Sequence, residues 1–233
     1  MAEIQGVGLT HYPGVWMPDE DMAVFLRRTL ESAKVPQALK DPKSWPAPMQ
    51  AEWGDDGAKS AAPRHRERLA EGFRKLRKEI DAFNPDFVVI WGDDQYENFK
   101  EDIIPPFCVF ILDEVACTPF AHTIGTGIRR NVWGEPADTV FKVKGHPAGG
   151  KWLARRLIEE GFDIPYGYTV RDPRGLAHAF INTILYLDYD RRGFPYPVVP
   201  FHVNCYGSSV VRGQGGGVVP GQQSDEPDPP APS

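Results

Sequence analysis

The stretch LAEGFRKLRKEIDAFNPDFVVIW, residues 69–91, decides the fold class of this chain. Its first part repeats apolar residues every three or four positions, which predicts an amphipathic helix. These residues are Leu69, Phe73, Leu76, Ile80 and Phe83. Asn84-Pro85 ends the helix, because a residue before proline avoids helical geometry. The run FVVIW at 87–91 is apolar on both faces and predicts a buried strand, so the stretch reads as half of an α/β unit.

Apolar patterns elsewhere in the chain predict further helices and strands. Helical spacing recurs over residues 19–30, 147–160 and 175–187, and strand-like apolar runs occupy residues 4–10, 107–112, 164–170 and 198–204. Residues 34–58 form a connector rich in proline and tryptophan. We therefore predict an α/β fold with a mostly buried mixed sheet and helices packed on both faces.

The composition changes after Tyr206. Residues 207–233 contain no aromatic residue and consist largely of Gly, Pro, Ser, Gln and acidic residues. Such a segment buries too little apolar surface to offset the cost of ordering its backbone. We therefore predict one α/β domain over residues 1–206 and a disordered tail over residues 207–233. Because the change comes directly after a predicted buried strand, we expect a truncation or a shifted reading frame there.

Charge and composition argue against several classes of partner. The formal net charge is −6 at pH 7, whereas nucleic-acid-binding proteins usually carry a basic stripe. No apolar run approaches the roughly 18 residues of a membrane-spanning helix, and the N-terminus lacks the pattern of a signal peptide. The three cysteines have no CxxC spacing. We therefore expect a cytoplasmic protein without a nucleic-acid or membrane partner.

Polar side chains follow two of the predicted strands. The motif THYP at 10–13 ends the first strand, and GDDQYENF at 92–99 follows the strand at 87–91. Ligands of open α/β sheets bind beyond the carboxyl ends of strands, and Fe(II) favours two histidines and one carboxylate with open positions. The residues alone leave two alternatives open. A lone histidine at a strand end is more often structural, and an Asp-Asp pair is as often a turn or a helix cap.

Four segments, taken in order, carry a family resemblance. THYP at 10–13 is similar to an N-terminal Ser-His-Ile-Pro motif. DFVVIWGDDQYENF at 86–99, with IIPPF at 103–107, is similar to a strand that delivers Asn-Asp-His before Ile-Ile-Pro-Thr-Phe. KGHP at 144–147 and VPFHVN at 199–204 match two later segments. Together they resemble the class III extradiol ring-cleavage dioxygenases, the family of the catalytic subunit of protocatechuate 4,5-dioxygenase.

The resemblance implies a chemistry and a set of partners. It implies non-haem Fe(II), a small aromatic substrate of the catechol or aminophenol type, and O2 that is inserted beside an adjacent pair of ring oxygens or nitrogens. The iron serves as a template and Lewis acid. A homo-oligomer or a small partner subunit is also compatible with the family.

The resemblance also assigns metal ligands. His11 is similar in position to the family's first iron ligand. The second family ligand is a histidine, and around its position this chain reads Asp93-Asp94-Gln95. We therefore predict Asp94 as the replacement, with Gln95 and Glu97 as reserves. The family's glutamate ligand and its acid/base histidine fall beyond the last matching segment, where this chain has no sequence to supply them.

The other histidines are interpreted one by one. His178 starts a predicted helix near the place of an active-site histidine of the family, and it is the predicted catalytic residue. His146 opens a helix and is predicted to cap it. His65 shares the apolar face of the long helix and is predicted to pack there. His202 is predicted to lie in the core, and His122 gives no signal.

Some alternatives stay open. Arg171, Arg174 and the pair Arg129-Arg130 could neutralise a substrate carboxylate, although a solvated role is the more ordinary one for arginine. The chain could be a truncated or degenerate non-catalytic member of the family. It could also be a hydrolase that uses the Asp93/Asp94 cluster with a different divalent metal.

Overall fold

The computed structural model describes residues 3–33, 35–100, 102–121 and 131–203. The predicted domain boundary at residue 206, the predicted tail, His122, Arg129 and Arg130 lie outside these ranges. The helices are α1 (Val24–Glu31), α2 (Gln37–Lys40), α3 (Ala47–Trp53), α4 (Ala62–Phe83), α5 (Pro147–Glu159) and α6 (His178–Leu187). The strands are β1 (Val88–Asp93), β2 (Phe107–Phe110), β3 (Glu114–Cys117), β4 (Phe141–Lys144), β5 (Tyr166–Gly167) and β6 (Val198–Val203).

The helix and strand predicted from the opening stretch are α4 and β1. The helix begins earlier than the apolar repeat, at Ala62, and ends where the sequence predicts. Asn84 follows it in the left-handed conformation, with φ of 50°, and its N–H donates to the carbonyl of Ile80. This C-terminal cap turns the chain directly into β1.

Within the described residues, four strands form a sheet in the order β1-β6-β2-β5. β1 runs parallel to β6, β6 runs antiparallel to β2, and β2 runs parallel to β5. The sheet is therefore mixed, as predicted. Strands β3 and β4 pair with each other antiparallel, outside this sheet, and the sequence patterns did not predict them. Each strand is four residues long, so its alternation of polar and apolar side chains covers too few positions to stand out in the sequence.

Helices cover both faces of the sheet, which confirms the predicted α/β architecture. On one face α6 packs against β1 and α4 packs against α6, with Ile90, Phe180 and Tyr186 buried between them. On the other face α5 lies against β2 and β6 and buries Val109 and Val199. Each such side chain contributes about 1.5–3 kcal/mol relative to an exposed one, so both layers hold the sheet in place.

A glycine brings α6 close to the carboxyl end of β1. A Cβ atom at Gly92 would lie 2.9 Å from Cε1 of Phe180, which is closer than carbon atoms pack. A side chain at this position would push α6 away from the strand. The first turn of α6 can therefore reach the polar residues that follow β1.

The predicted strand over residues 4–10 is wrong. Residues 3–12 lie in no helix or strand, and Ile4 is 93% exposed. Gly6 and Gly8 offer no side chain that could pack on the sheet, which weakens a strand. Farther along, the buried Arg66 of α4 holds the chain by donating to the carbonyls of Val15 and Met17.

Two other segments differ from the prediction. The strand expected over residues 164–170 is reduced to β5, and the connector over residues 34–58 contains α2 and α3. All three elements are short, and tertiary contacts determine the ends of such elements more than the local sequence pattern does. None of the helices in the described ranges is long and apolar enough to span a membrane.

Candidate active site

His11 and Asp93 meet at the carboxyl end of β1. The Nε2 atom of His11 lies 3.3 Å from Oδ1 of Asp93. Asp93 is largely buried, whereas the His11 side chain is 41% exposed. Gln95 donates from Nε2 to Oδ2 of Asp93 at 2.8 Å. Gln95 therefore orients the carboxylate that faces His11.

The neighbouring carboxylate, Asp94, points into a turn. It is 1% exposed and accepts hydrogen bonds from the backbone N–H groups of Glu97, Asn98 and Phe99 at 2.9, 2.8 and 3.3 Å. Tyr96 takes the left-handed conformation, with φ of 60°, which lets the chain fold back over Asp94. This is the turn or cap that the sequence left open as an alternative.

These contacts disfavour Asp94 as a metal ligand. Its carboxylate serves the backbone of the turn, while Asp93 lies beside His11. The two residues differ because Asp93 is the last residue of β1 and Asp94 already belongs to the turn. Sequence patterns place such a boundary only to within a few residues, so they could not choose between them.

Glu97 holds His178 at the start of α6. Its two carboxylate oxygens accept from the backbone N–H of His178 at 2.9 Å and contact the ring Nδ1 at 2.8 Å. An ionised carboxylate can only accept, so Nδ1 carries a proton and Nε2 is left to exchange one. Glu97, a reserve ligand in the prediction, is thus engaged with the predicted catalytic histidine.

Charge raises the pKa of His178. Burial alone would lower it, but the hydrogen bond and charge of Glu97, together with the charges of Asp93 and Asp94, raise it above the ordinary value. The shift therefore extends the pH range over which the His178 ring stays protonated.

The two histidines lie side by side. The rings of His11 and His178 are 5.2 Å apart, centre to centre, in an edge-to-face arrangement. The structure thus brings together His11, Asp93, Glu97 and His178 from three separate parts of the chain. Imidazole and carboxylate are the donors that Fe(II) takes in 2-His-1-carboxylate sites. His11 and Asp93 fit two of those three positions, and no group of three such side chains arranged to hold a metal ion occurs within the described ranges.

Arg171 and Arg174, two of the arginines suggested for a substrate carboxylate, already have acidic partners. Arg174 bonds to the carboxylate of Asp172, with Nε 2.9 Å from Oδ1. Arg171 pairs with Asp102 on the surface. Asn98 joins this loop to the turn after β1, because its Oδ1 accepts from the N–H groups of Arg171 and Asp172 at 2.8 and 3.0 Å.

The three other described histidines lie in different environments. His146 caps α5, as predicted, with Nδ1 accepting from the N–H of Gly149 at 2.9 Å. His202 is completely buried, as predicted. The packing prediction for His65 is wrong: its side chain is 44% exposed and lies 3.9 Å from Glu52.

Curated relatives of the chain share one activity name. A 2,3-dihydroxyphenylpropionate/2,3-dihydroxicinnamic acid 1,2-dioxygenase 2 of Pseudomonas putida is 30% identical over 140 residues, which are 60% of this chain and 37% of that protein. The 2,3-dihydroxyphenylpropionate/2,3-dihydroxicinnamic acid 1,2-dioxygenase of Photorhabdus laumondii is 23% identical over 57% of this chain and 35% of its own length. That of Paraburkholderia phymatum is 25% identical over 56% of this chain and 34% of its own.

Over the matched residues the chain is similar to these ring-cleaving dioxygenases, which are of the class III extradiol type. The resemblance drawn from four sequence segments is thereby confirmed. No family model matches the chain. The chain spans about a third of the length of the curated extradiol dioxygenases it matches.

Proposed function

We propose that this chain carries part of the active site of a non-haem Fe(II)-dependent extradiol dioxygenase. The enzyme would cleave the aromatic ring of a catechol- or aminophenol-type substrate with O2. One observation carries the proposal: His11, Asp93 and His178 meet beyond the carboxyl end of β1, in a chain related to ring-cleaving dioxygenases. Ligand sites of α/β sheets lie at this edge.

His11 and Asp93 would hold the iron. Bound Fe(II) would supply a template and Lewis acid for an adjacent pair of ring oxygens. Gln95 keeps the Asp93 carboxylate turned toward His11, as outer-shell partners of metal ligands do. Asp94, the ligand predicted from the sequence, has instead the role of shaping the turn.

His178 would act as the general acid or base for the substrate hydroxyl. Glu97 binds its Nδ1, so Nε2 is the atom that can take a proton from a ring hydroxyl or return it. The His178 ring lies 5.2 Å from the ring of His11, centre to centre, and so stands beside a proposed iron ligand. Because the first turn of α6 also fixes the backbone N–H of His178 to Glu97, the ring has little freedom to swing away.

The substrate class follows from the relatives. Their names specify 2,3-dihydroxyphenylpropionate and the corresponding cinnamic acid, both with adjacent ring hydroxyls. We infer that this protein also acts on a small aromatic acid with two adjacent donors. The second candidate function is a non-catalytic member of the family, and it is favoured by Asp94, which stands near the place of the family's second histidine ligand and binds the backbone of the turn.

Anaerobic Fe(II) titration of the wild type, His11→Ala and His65→Ala tests the proposal. His65 is the matched control, because its side chain is 44% exposed and lies near a carboxylate, like that of His11 at 41%. We expect His11→Ala to weaken Fe(II) binding at least about tenfold and His65→Ala to leave it unchanged. Equal binding by His11→Ala and the wild type would contradict the metal assignment.

Oxygen uptake then separates the two candidate functions. The wild type is loaded with Fe(II), mixed with 2,3-dihydroxyphenylpropionate, and followed with an oxygen electrode. Catechol-dependent O2 uptake that is lost in His178→Ala supports the dioxygenase. Iron binding without O2 uptake supports the non-catalytic alternative.

A further inference from the structure

One face of α6 carries three polar side chains at intervals of four residues: His178, Asn182 and Tyr186. Residues four apart lie above one another on a helix. The first of them belongs to the candidate active site. The other two are buried, at 2% and 0% exposure, in a helix whose remaining inward residues are apolar.

Asn182 and Tyr186 both bind the segment that carries His11. The amide Nδ2 of Asn182 donates to the backbone carbonyl of His11 at 3.0 Å. The hydroxyl of Tyr186 donates to the carbonyl of the next residue, Tyr12, at 2.6 Å. Both contacts join parts of the chain more than 170 positions apart.

The segment before His11 supplies little support of its own. Residues 3–12 lie in no helix or strand, and Ile4 is 93% exposed. The Nε2 contact with Asp93 fixes only the far end of the His11 side chain. The backbone end is fixed by α6, so the same helix face that presents His178 also sets the position of His11.

Burial explains why Asn182 must have this partner. Its helix neighbours Ile181, Ile184 and Leu185 pack in the apolar core. A buried amide is costly unless it is hydrogen-bonded, and an apolar side chain would pack at least as well in such surroundings. The bond to His11 accounts for a polar residue here.

We propose that Asn182 is a positioning residue that holds His11 in register with Asp93 and His178. Tyr186 extends the same contact by one residue along the chain. The consequence for metal binding rests on the function proposed above, whereas the consequence for the His11 side chain does not. Helix α6 then acts as a common support for both histidines of the site.

The test compares Asn182→Leu with Thr183→Val. Each variant loses one side-chain hydrogen bond from α6, but the hydroxyl of Thr183 bonds within the helix, to Ala179. We measure the ring 15N signals of His11 and His178 in the metal-free protein, and the Co(II) dissociation constant. Asn182→Leu should shift or broaden the His11 signals, leave the His178 signals in place, and raise the dissociation constant at least about tenfold. Thr183→Val should change neither.

Tyr186→Phe provides a second variant in case Asn182→Leu does not fold. It keeps the aromatic ring in the core and removes the hydroxyl that binds Tyr12. We expect the same changes at His11 with a smaller amplitude, about threefold in the dissociation constant.

The inference is overturned if the His11 signals of both Asn182→Leu and Tyr186→Phe superimpose on those of the wild type. It is also overturned if Co(II) affinity falls no further in these variants than in Thr183→Val. If the wild type binds no Co(II), the proposed function fails, and the ring signals alone then decide the role of Asn182.

Discussion

Two consecutive aspartates at the end of β1 have different environments. Asp93 lies 3.3 Å from Nε2 of His11, at the edge of the candidate active site. Asp94 is buried and accepts from three backbone N–H groups of the following turn. The two side chains are chemically identical, so the backbone alone assigns their roles. The last residue of a strand faces the ligand edge of the sheet, and the next residue shapes the loop.

We therefore expect two adjacent residues to serve different purposes, one in folding and the other in metal binding. Removing Asp94 should cost stability, and removing Asp93 should cost metal binding.

Asp94→Ala should lower the free energy of unfolding by about 3 kcal/mol, because three backbone N–H groups lose a charged acceptor in a buried turn. Asp93→Ala should cost less than about 1 kcal/mol, since it removes a polar contact with a half-exposed histidine. Urea denaturation at pH 7.5 measures both. Similar losses in the two variants would remove the distinction between the aspartates.

The buried His202 of β6 lies beside the end of β1 that carries the two aspartates. Its ring is completely buried, 4.6 Å from that of Phe99, and pairs across the sheet with Gly92. Burial lowers its pKa below the ordinary value, although the charges of Asp94 and Asp93 oppose this shift. The unfolded chain therefore binds a proton more readily below about pH 6.5, and stability is lost as the pH falls through that range.

His202→Phe removes this titration. Relative to the wild type, the variant should gain up to about 1.4 kcal/mol between pH 7.5 and pH 5.5, as measured by urea unfolding at both values. An unchanged pH dependence in the variant would show that folding does not lower the pKa of His202.

The pH dependence of stability that comes from His178 should have the opposite sign to that from His202, because the pKa of His178 is raised in the folded protein. Its pair with Glu97 contributes stability that is fully present below the unfolded pKa and is lost as the pH rises through the folded pKa. Glu97→Gln should therefore cost about 1 kcal/mol more at pH 6 than at pH 9. Thermal unfolding at the two pH values measures this, and a cost that is larger at pH 9 would refute the raised pKa.

The sequence predicted the parts of the fold that depend on local pattern. The long apolar repeat of α4 and the apolar run of β1 are strong periodic signals, and both elements form where they were expected. The N-terminal strand was wrong because a short apolar run does not show whether a neighbouring strand will pair with it. Strands β3 and β4 were missed for the same reason, since each is only four residues long.

The sequence points to candidate side chains but not to their contacts. It identifies His11 and His178, whose rings lie 5.2 Å apart in the structure. The choice between the adjacent Asp93 and Asp94 depends on where β1 ends, which the sequence leaves open. Asn182 gave no signal at all, because its partner lies 171 positions away in the chain.

Anaerobic Fe(II) titration of Asp93→Asn and Asp94→Asn tests the central claim most directly. Both changes remove one charge and preserve the shape of the side chain, so they differ only in which aspartate is altered. The folded fraction of each variant is measured first, and affinities are compared per folded molecule. We predict that Asp93→Asn weakens Fe(II) binding at least about tenfold and that Asp94→Asn stays within about threefold of the wild type. The reverse order would show that Asp94, and not Asp93, is the metal ligand beside His11.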